Sequence, residues 1–129
     1  MHHRLACMLL LVGPLLLMQG CTETTVACAA PSVPSAVAVV VRDSITDALI
    51  TDSAYGSVTG KGTTVSLYPG GPFNFGDSVL VGGTVVGKVT VEVRRPGYQP
   101  WTSPQVKTSL TGGQCPDFKT RYLTARMQP

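Results

Sequence analysis

The sequence predicts an all-β chain, a β-sandwich of seven or eight strands rich in antiparallel pairs. Brief valine-rich runs recur at close spacing between clusters of Gly, Pro, Asp and Ser, and no stretch after residue 20 repeats its apolar positions with the period of a helix. The segment Val85 to Arg94 is the clearest strand. Val85, Gly87, Val89, Val91 and Val93 alternate there with Lys88, Thr90, Glu92 and Arg94. A period of two puts the valines on a buried face and the polar side chains on a wet one.

The chain begins with a short positive segment, Met1-His-His-Arg4, and then runs apolar from Leu5 to Met18. That is the layout of a signal peptide. The run is shorter than the roughly 20 residues of a spanning helix, and Gly13-Pro14 breaks it. It ends in Leu17-Met18-Gln19-Gly20-Cys21, which resembles a bacterial lipobox. The resemblance implies a diacylglyceryl group on the Cys21 thiol, removal of residues 1–20, and a membrane partner reached through that N-terminal lipid. The alternative is an ordinary signal peptide cut near Ala27 or Ala30, where small residues also stand. Cleavage before Cys21 leaves 109 residues, enough for one domain with its own core. Nine Lys and Arg then face seven Asp and Glu, with no basic block beyond Arg94-Arg95. This pattern gives no support to nucleic-acid binding.

Residues 21–35 read as a tether, small and polar with Pro31 and Pro34, and residues 36–129 as the sandwich. Val37 to Val41 is almost continuously apolar, so both its faces are expected to be covered and the strand to be central. Asp43 to Asp47 reads as a polar turn. Ala48 to Ile50, Ala54 to Val58, Thr63 to Tyr68 and Ser78 to Val81 follow as short strands, and Val106 and Leu110 mark another beyond Val85 to Arg94. In the last strand, Lys119 to Met127, Leu123, Ala125 and Met127 share a face. Strict alternation would bury Arg121 with them, at a cost for an unpaired charge. A bulge or strand edge near Arg121 is therefore expected.

Of four cysteines, Cys7 leaves with the signal segment and Cys21 is assigned to lipid. Cys28 and Cys115 remain. An exported pair predicts one disulfide, joining the tether to the loop before the last strand.

The remaining candidates for chemistry are weak. The only histidines, His2 and His3, leave with the signal segment, so Ser-His-Asp, Cys-His and His-metal sites are not expected. Two cysteines 87 positions apart do not make a zinc site. Gly56 to Thr63 resembles a phosphate loop only superficially: its first glycine is one residue too close, Gly62 stands where a hydroxyl is needed, and no helix follows. It reads as a turn. Asp43, Asp47 and Asp52 read as turn carboxylates accepting backbone N–H bonds rather than calcium ligands. Arg94-Arg95 reads as a solvated strand end, with an acidic partner as the alternative. Tyr98, after Pro96-Gly97, is expected to pack its ring in the core and find a backbone partner for its hydroxyl. No catalytic residue, metal or cofactor is expected.

Aromatic residues supply the candidate binding surface. Tyr68, Phe73 and Phe75 lie in or beside a Gly/Pro-rich loop, and Trp101 lies between Pro100 and Pro104. Such rings either stack on sugars or peptides or tuck under the fold as a plug, and Trp101 is either a lid over the core or a stacking surface.

Three segments resemble the carboxypeptidase regulatory-like domains with their transthyretin-like (prealbumin-like) sandwich. They are VAVVVRDSITD from Val37 to Asp47, VTVEVRRPGYQPW from Val89 to Trp101, and CPDFKTRYLTARMQP from Cys115 to Pro129. Asp47 stands where the family most often has Gly, and Pro116-Asp117 where it has an apolar residue. The resemblance implies a non-catalytic accessory module. The expected function is a membrane-anchored lipoprotein of the cell envelope whose sandwich is a structural or protein-interaction module, with a carbohydrate-binding accessory domain as the alternative. Thr22 rather than Asp after Cys21 resembles the pattern for outer-membrane sorting, should the cell have two membranes.

Overall fold

The computed structural model describes residues 27–28, 35–70 and 79–129. The signal segment, Cys21, Phe73 and Phe75 lie outside the described residues.

The fold is all-β. Nine strands follow in chain order: β1 (Val37–Asp43), β2 (Tyr55–Gly60), β3 (Thr63–Pro69), β4 (Leu80–Gly82), β5 (Gly87–Arg94), β6 (Trp101–Thr102), β7 (Val106–Leu110), β8 (Phe118–Lys119) and β9 (Arg121–Met127). They form one mixed sheet in the order β8-β7-β5-β2-β3-β4-β1-β9, with β6 beside β5, and the sheet curls nearly into a barrel. Neighbours are antiparallel except β1 and β9, which run parallel from Val37 opposite Arg121 to Asp43 opposite Met127.

Nine strands rather than seven or eight arise partly because β6 and β8 have two residues each, too few to show a period. Ala48 to Ile50, expected as a strand, makes only an isolated bridge between Leu49 and Arg42. The turns on either side leave it no room to extend. The strand expected from Val85 begins instead at Gly87, whose φ of 116° breaks regular pairing before it. The final strand is split at Thr120. Before the break Lys119 pairs with Ser109 of β7; after it Arg121 pairs with Val37 of β1. The Thr120 hydroxyl donates to the Ser35 carbonyl (2.9 Å), and the Arg121 N–H to the Ala36 carbonyl (2.9 Å). Arg121 therefore opens the terminal strand of the sheet and is exposed, which resolves the burial problem at an edge.

The inward valines of β1, β2 and β5 form the core. Val37, Val39, Val41, Val58, Val91 and Val93 are fully buried, with Leu80, Ala125 and Met127 packed among them. The other face of β1 is covered too: Ala38 joins Val79 and Val81 in a second cluster, with Val40 against it. β1 is thus buried on both faces as its sequence suggests, although it sits one strand from the sheet edge rather than at the centre.

Strand directions define two ends. At one, which we call the tether end, lie the β2–β3 turn, the β4–β5 connection, the 111–117 loop and the chain entering β1. At the other, the far end, lie the β1–β2 and β5–β6 connections and the C-terminus. The β2–β3 turn is the segment with phosphate-loop likeness. Lys61 (φ 48°) and Gly62 (φ 76°) are its two central residues, both left-handed as a tight hairpin requires.

Candidate functional site

The far end is built on the Asp43 turn. The Asp43 carboxylate accepts the N–H groups of Ile45 (2.7 Å) and Thr46 (2.8 Å) through Oδ1, and the Tyr98 hydroxyl (2.9 Å) through Oδ2. The two backbone donors, at Thr46 and then Ile45, with Tyr98 third, hold its carboxyl below the usual range, and the bond to Asp43 raises the Tyr98 phenol. Tyr98 packs its ring against the core as expected. Its hydroxyl partner, however, is a carboxylate on the β1 turn and not a backbone group.

Of the three aspartates, Asp43 makes the expected turn bonds; the other two meet arginine. Asp47, at φ 59°, takes the left-handed conformation for which glycine is the commoner residue. Its carboxylate lies between Arg42 (3.3 Å) and Arg126 (2.8 Å), and its carbonyl accepts from Arg42 (2.8 Å). Arg95 donates to the Asp52 carbonyl (3.0 Å), lies 3.6 Å from its carboxylate, and stacks over the Tyr98 ring at 5.0 Å. Arg94 pairs with Glu92, which raises its pKa. The Arg94-Arg95 pair is therefore not simply a solvated end: Arg95 is a structural strut.

Trp101 is half-buried. One side packs on the core, and the other lines a cleft of about 250 Å³ with Gln99, Pro100, Thr102, Arg126, Met127 and Gln128. The cleft occupies the seam between β6 and the end of β9. Its backbone rim is closed by the Gln99 N–H donating to the Gln128 carbonyl (2.7 Å). One aromatic face, one guanidinium and two carboxamides thus converge on a hollow smaller than the roughly 300–1,000 Å³ that holds drug-sized molecules. Such a hollow suits a single ring.

Tyr68 does not join Trp101. Trp101 lies opposite Val93, Val93 opposite Gly56, and Gly56 opposite Leu67, so Trp101 shares a row with Leu67, and Tyr68, one residue on, points to the other face. Tyr68 is 42% exposed there, in a row that runs through Val81 and Ala38 to Tyr122. Of the four aromatics expected at a surface, Tyr68 and Trp101 lie on opposite faces, and Phe73 and Phe75 lie outside the described residues. Arg126, Gln99 and Gln128, which complete the Trp101 cleft, carried no signal in the sequence, because the β6–β9 seam that gathers them is not periodic.

At the tether end, Cys28 and Cys115 stand at disulfide distance, with Cα atoms 5.5 Å apart. The loop that holds Cys115 is pinned at its base: the Thr111 N–H donates to the Asp117 carbonyl (2.7 Å), and the Asp117 N–H to the Thr111 hydroxyl (2.9 Å). Among the described residues, no three His, Cys, Asp or Glu side chains converge as a metal site, and no helix is long and apolar enough to cross a membrane. Compared with protein-family models and with curated proteins, the chain matches none.

Proposed function

We propose that the chain is an exported lipoprotein, held to a membrane of the cell envelope by a lipid on Cys21, whose non-catalytic β-fold is a structural or protein-interaction module. In a two-membrane cell the outer membrane is its proposed site. The observation that carries this reading is the Cys28–Cys115 pair. A disulfide suits an oxidising, extracytoplasmic space, and with Cys7 inside the apolar run, pairing these two leaves Cys21 as the one remaining cysteine, directly behind that run. The carboxypeptidase regulatory-like resemblance belongs to the same proposal. Its three segments lie together, since β9 pairs with β1 along its length and Tyr98 bonds to Asp43.

Mass spectrometry of the mature N-terminus tests the anchor. A diacylglyceryl-modified Cys21 is expected, and Cys21→Ser should leave the protein uncleaved or in the soluble fraction. An unmodified Cys21 in the mature protein refutes it.

The second reading, a carbohydrate-binding module, is favoured by the Trp101 cleft. Trp101 is the only tryptophan in the chain, so its fluorescence reports on the cleft alone. Saturable quenching by a glycan, abolished by Arg126→Ala and by removal of the Gln99 or Gln128 amide, supports this reading. No response across an oligosaccharide panel removes it.

A further inference from the structure

The four lysines of this chain are scattered in sequence at 61, 88, 107 and 119 and gathered in space. Lys88 on β5 and Lys107 on β7 are direct cross-strand partners. Lys119 on β8 lies opposite Ser109, two residues from Lys107, which makes the two lysines diagonal neighbours on one face. Lys61 lies against Gly87, with its Nζ 3.8 Å from where a Cβ on that glycine would stand. All four are exposed, as is Arg121 at the same end. None of the five makes an ion pair among the described residues. Asp117 is the one carboxylate described at that end, and it accepts the Phe118 N–H (2.7 Å).

The row is not explained by folding. Like charges placed directly opposite in a sheet destabilise it. Lysine on an edge strand guards against aggregation, which accounts for Lys119 on terminal β8 but not for Lys88, whose strand has neighbours on both sides. Position supplies the other clue. Cys115 is four residues from Lys119, about 14 Å of extended chain at most, and the disulfide holds Cys28 beside it. From Cys28 back to Cys21 is seven residue steps, at most about 25 Å.

We propose that the lysine row is a membrane-facing surface that rests on the anionic phospholipid headgroups of the bilayer holding the Cys21 lipid. This rests on the lipid-anchor reading. Lys88, Lys107 and Lys119 stand on three adjacent strands, which at a spacing of about 4.8 Å make a row of roughly 10 Å, little more than one Debye length at physiological salt, so the ammonium groups act together. Lysine is a hydrated point charge on a flexible stem, fitted to fluid headgroups. No residue of the row is aromatic, so nothing in it would stack on an acidic sugar.

The test uses the mature chain carrying Cys21→Ser, so that the row is measured without the lipid and fails or succeeds apart from the anchor. Sedimentation with phosphatidylcholine vesicles, with and without phosphatidylglycerol, should show binding only to the anionic vesicles and its loss on adding salt. Each lysine at such a surface is worth about fivefold in partitioning. Lys88→Gln with Lys107→Gln should therefore weaken binding roughly 25-fold. The same charge loss at the far end, Arg42→Gln with Arg94→Gln, should leave binding within about twofold, because those cations lie beyond the screening length. Equal binding to both vesicles, equal loss in the two double variants, or binding to a soluble acidic polysaccharide without binding to vesicles overturns the proposal.

Discussion

Among the described residues, four arginines at the far end of the sheet, Arg42, Arg94, Arg95 and Arg126, lie among the carboxylates of Asp43, Asp47, Asp52 and Glu92, whereas at the tether end four lysines and Arg121 stand with Asp117 alone. The contrast follows from side-chain chemistry. A guanidinium is a planar fork that bonds to carboxylate and carbonyl together. Arg42 does this at Asp47 and Arg95 at Asp52. An ammonium on a long stem keeps its water unless a partner is placed for it. One end therefore uses charge to fix its own turns, and the other leaves its charge facing outward. The net positive charge of the described residues is a property of one end of the molecule.

The largest expected effect lies at the tether end, which has the covalent clasp. Replacing both cysteines, Cys28→Ser with Cys115→Ser, should lower the free energy of unfolding by about 4–5 kcal/mol in the chain-entropy model. Urea denaturation measures this, and a loss below about 1 kcal/mol would mean that the loop and tether are held without the bond.

A smaller effect, separated by pH, belongs to the far end. Asp43 has a lowered pKa in the folded chain, so its contribution is present above the ordinary carboxylate value near 4 and is lost as pH falls through the folded value. Tyr98 has a raised pKa, so its contribution is present below the ordinary phenol value near 10 and is lost as pH rises through the folded value. Tm measured against pH should show a plateau between these limits. Tyr98→Phe should remove the alkaline fall and lessen the acid one, and an unchanged alkaline limb would assign that transition to another group.

The smallest effect has the opposite sign. Lys88→Gln removes half of a like-charged cross-strand pair and should raise stability by about 0.2–1 kcal/mol. Added salt should shrink the difference between variant and parent, since screening weakens the same repulsion. A destabilised variant would show that the Lys88 stem packs against the sheet.

Much of the core was legible because it obeys a period. The valines of β5 face inward in the order their alternation gives, and β1, apolar from Val37 to Val41, is buried on both faces there. The disulfide was legible by elimination among four cysteines. The unread parts are those fixed by register between distant strands. The row from Trp101 to Leu67 depends on three successive pairings, so nothing local tells that Tyr68 turns away from Trp101. The lysine row likewise exists only because Gly87 meets Thr108 and Leu110 meets Phe118. Asp43 and Tyr98 were each marked separately, as a turn residue and a core ring; 55 positions apart, they had no pattern to join them.

The disulfide also decides how this molecule would carry a load. It closes a covalent ring spanning 87 sequence positions, so a pull arriving from the N-terminal side passes at Cys28 into Cys115 and bypasses the chain between. About 300 Å of extended polypeptide is thereby locked out of any stretching event. Only the segments outside the ring can lengthen, and the C-terminal one includes β9, the strand that runs parallel to β1. Drawn between its two termini, the oxidised protein should lengthen only by the slack in those outer segments and then stop, because β1 lies inside the ring and bears no load. The reduced protein should pay out the whole fold, and a single-molecule extension trace separates the two by the length released.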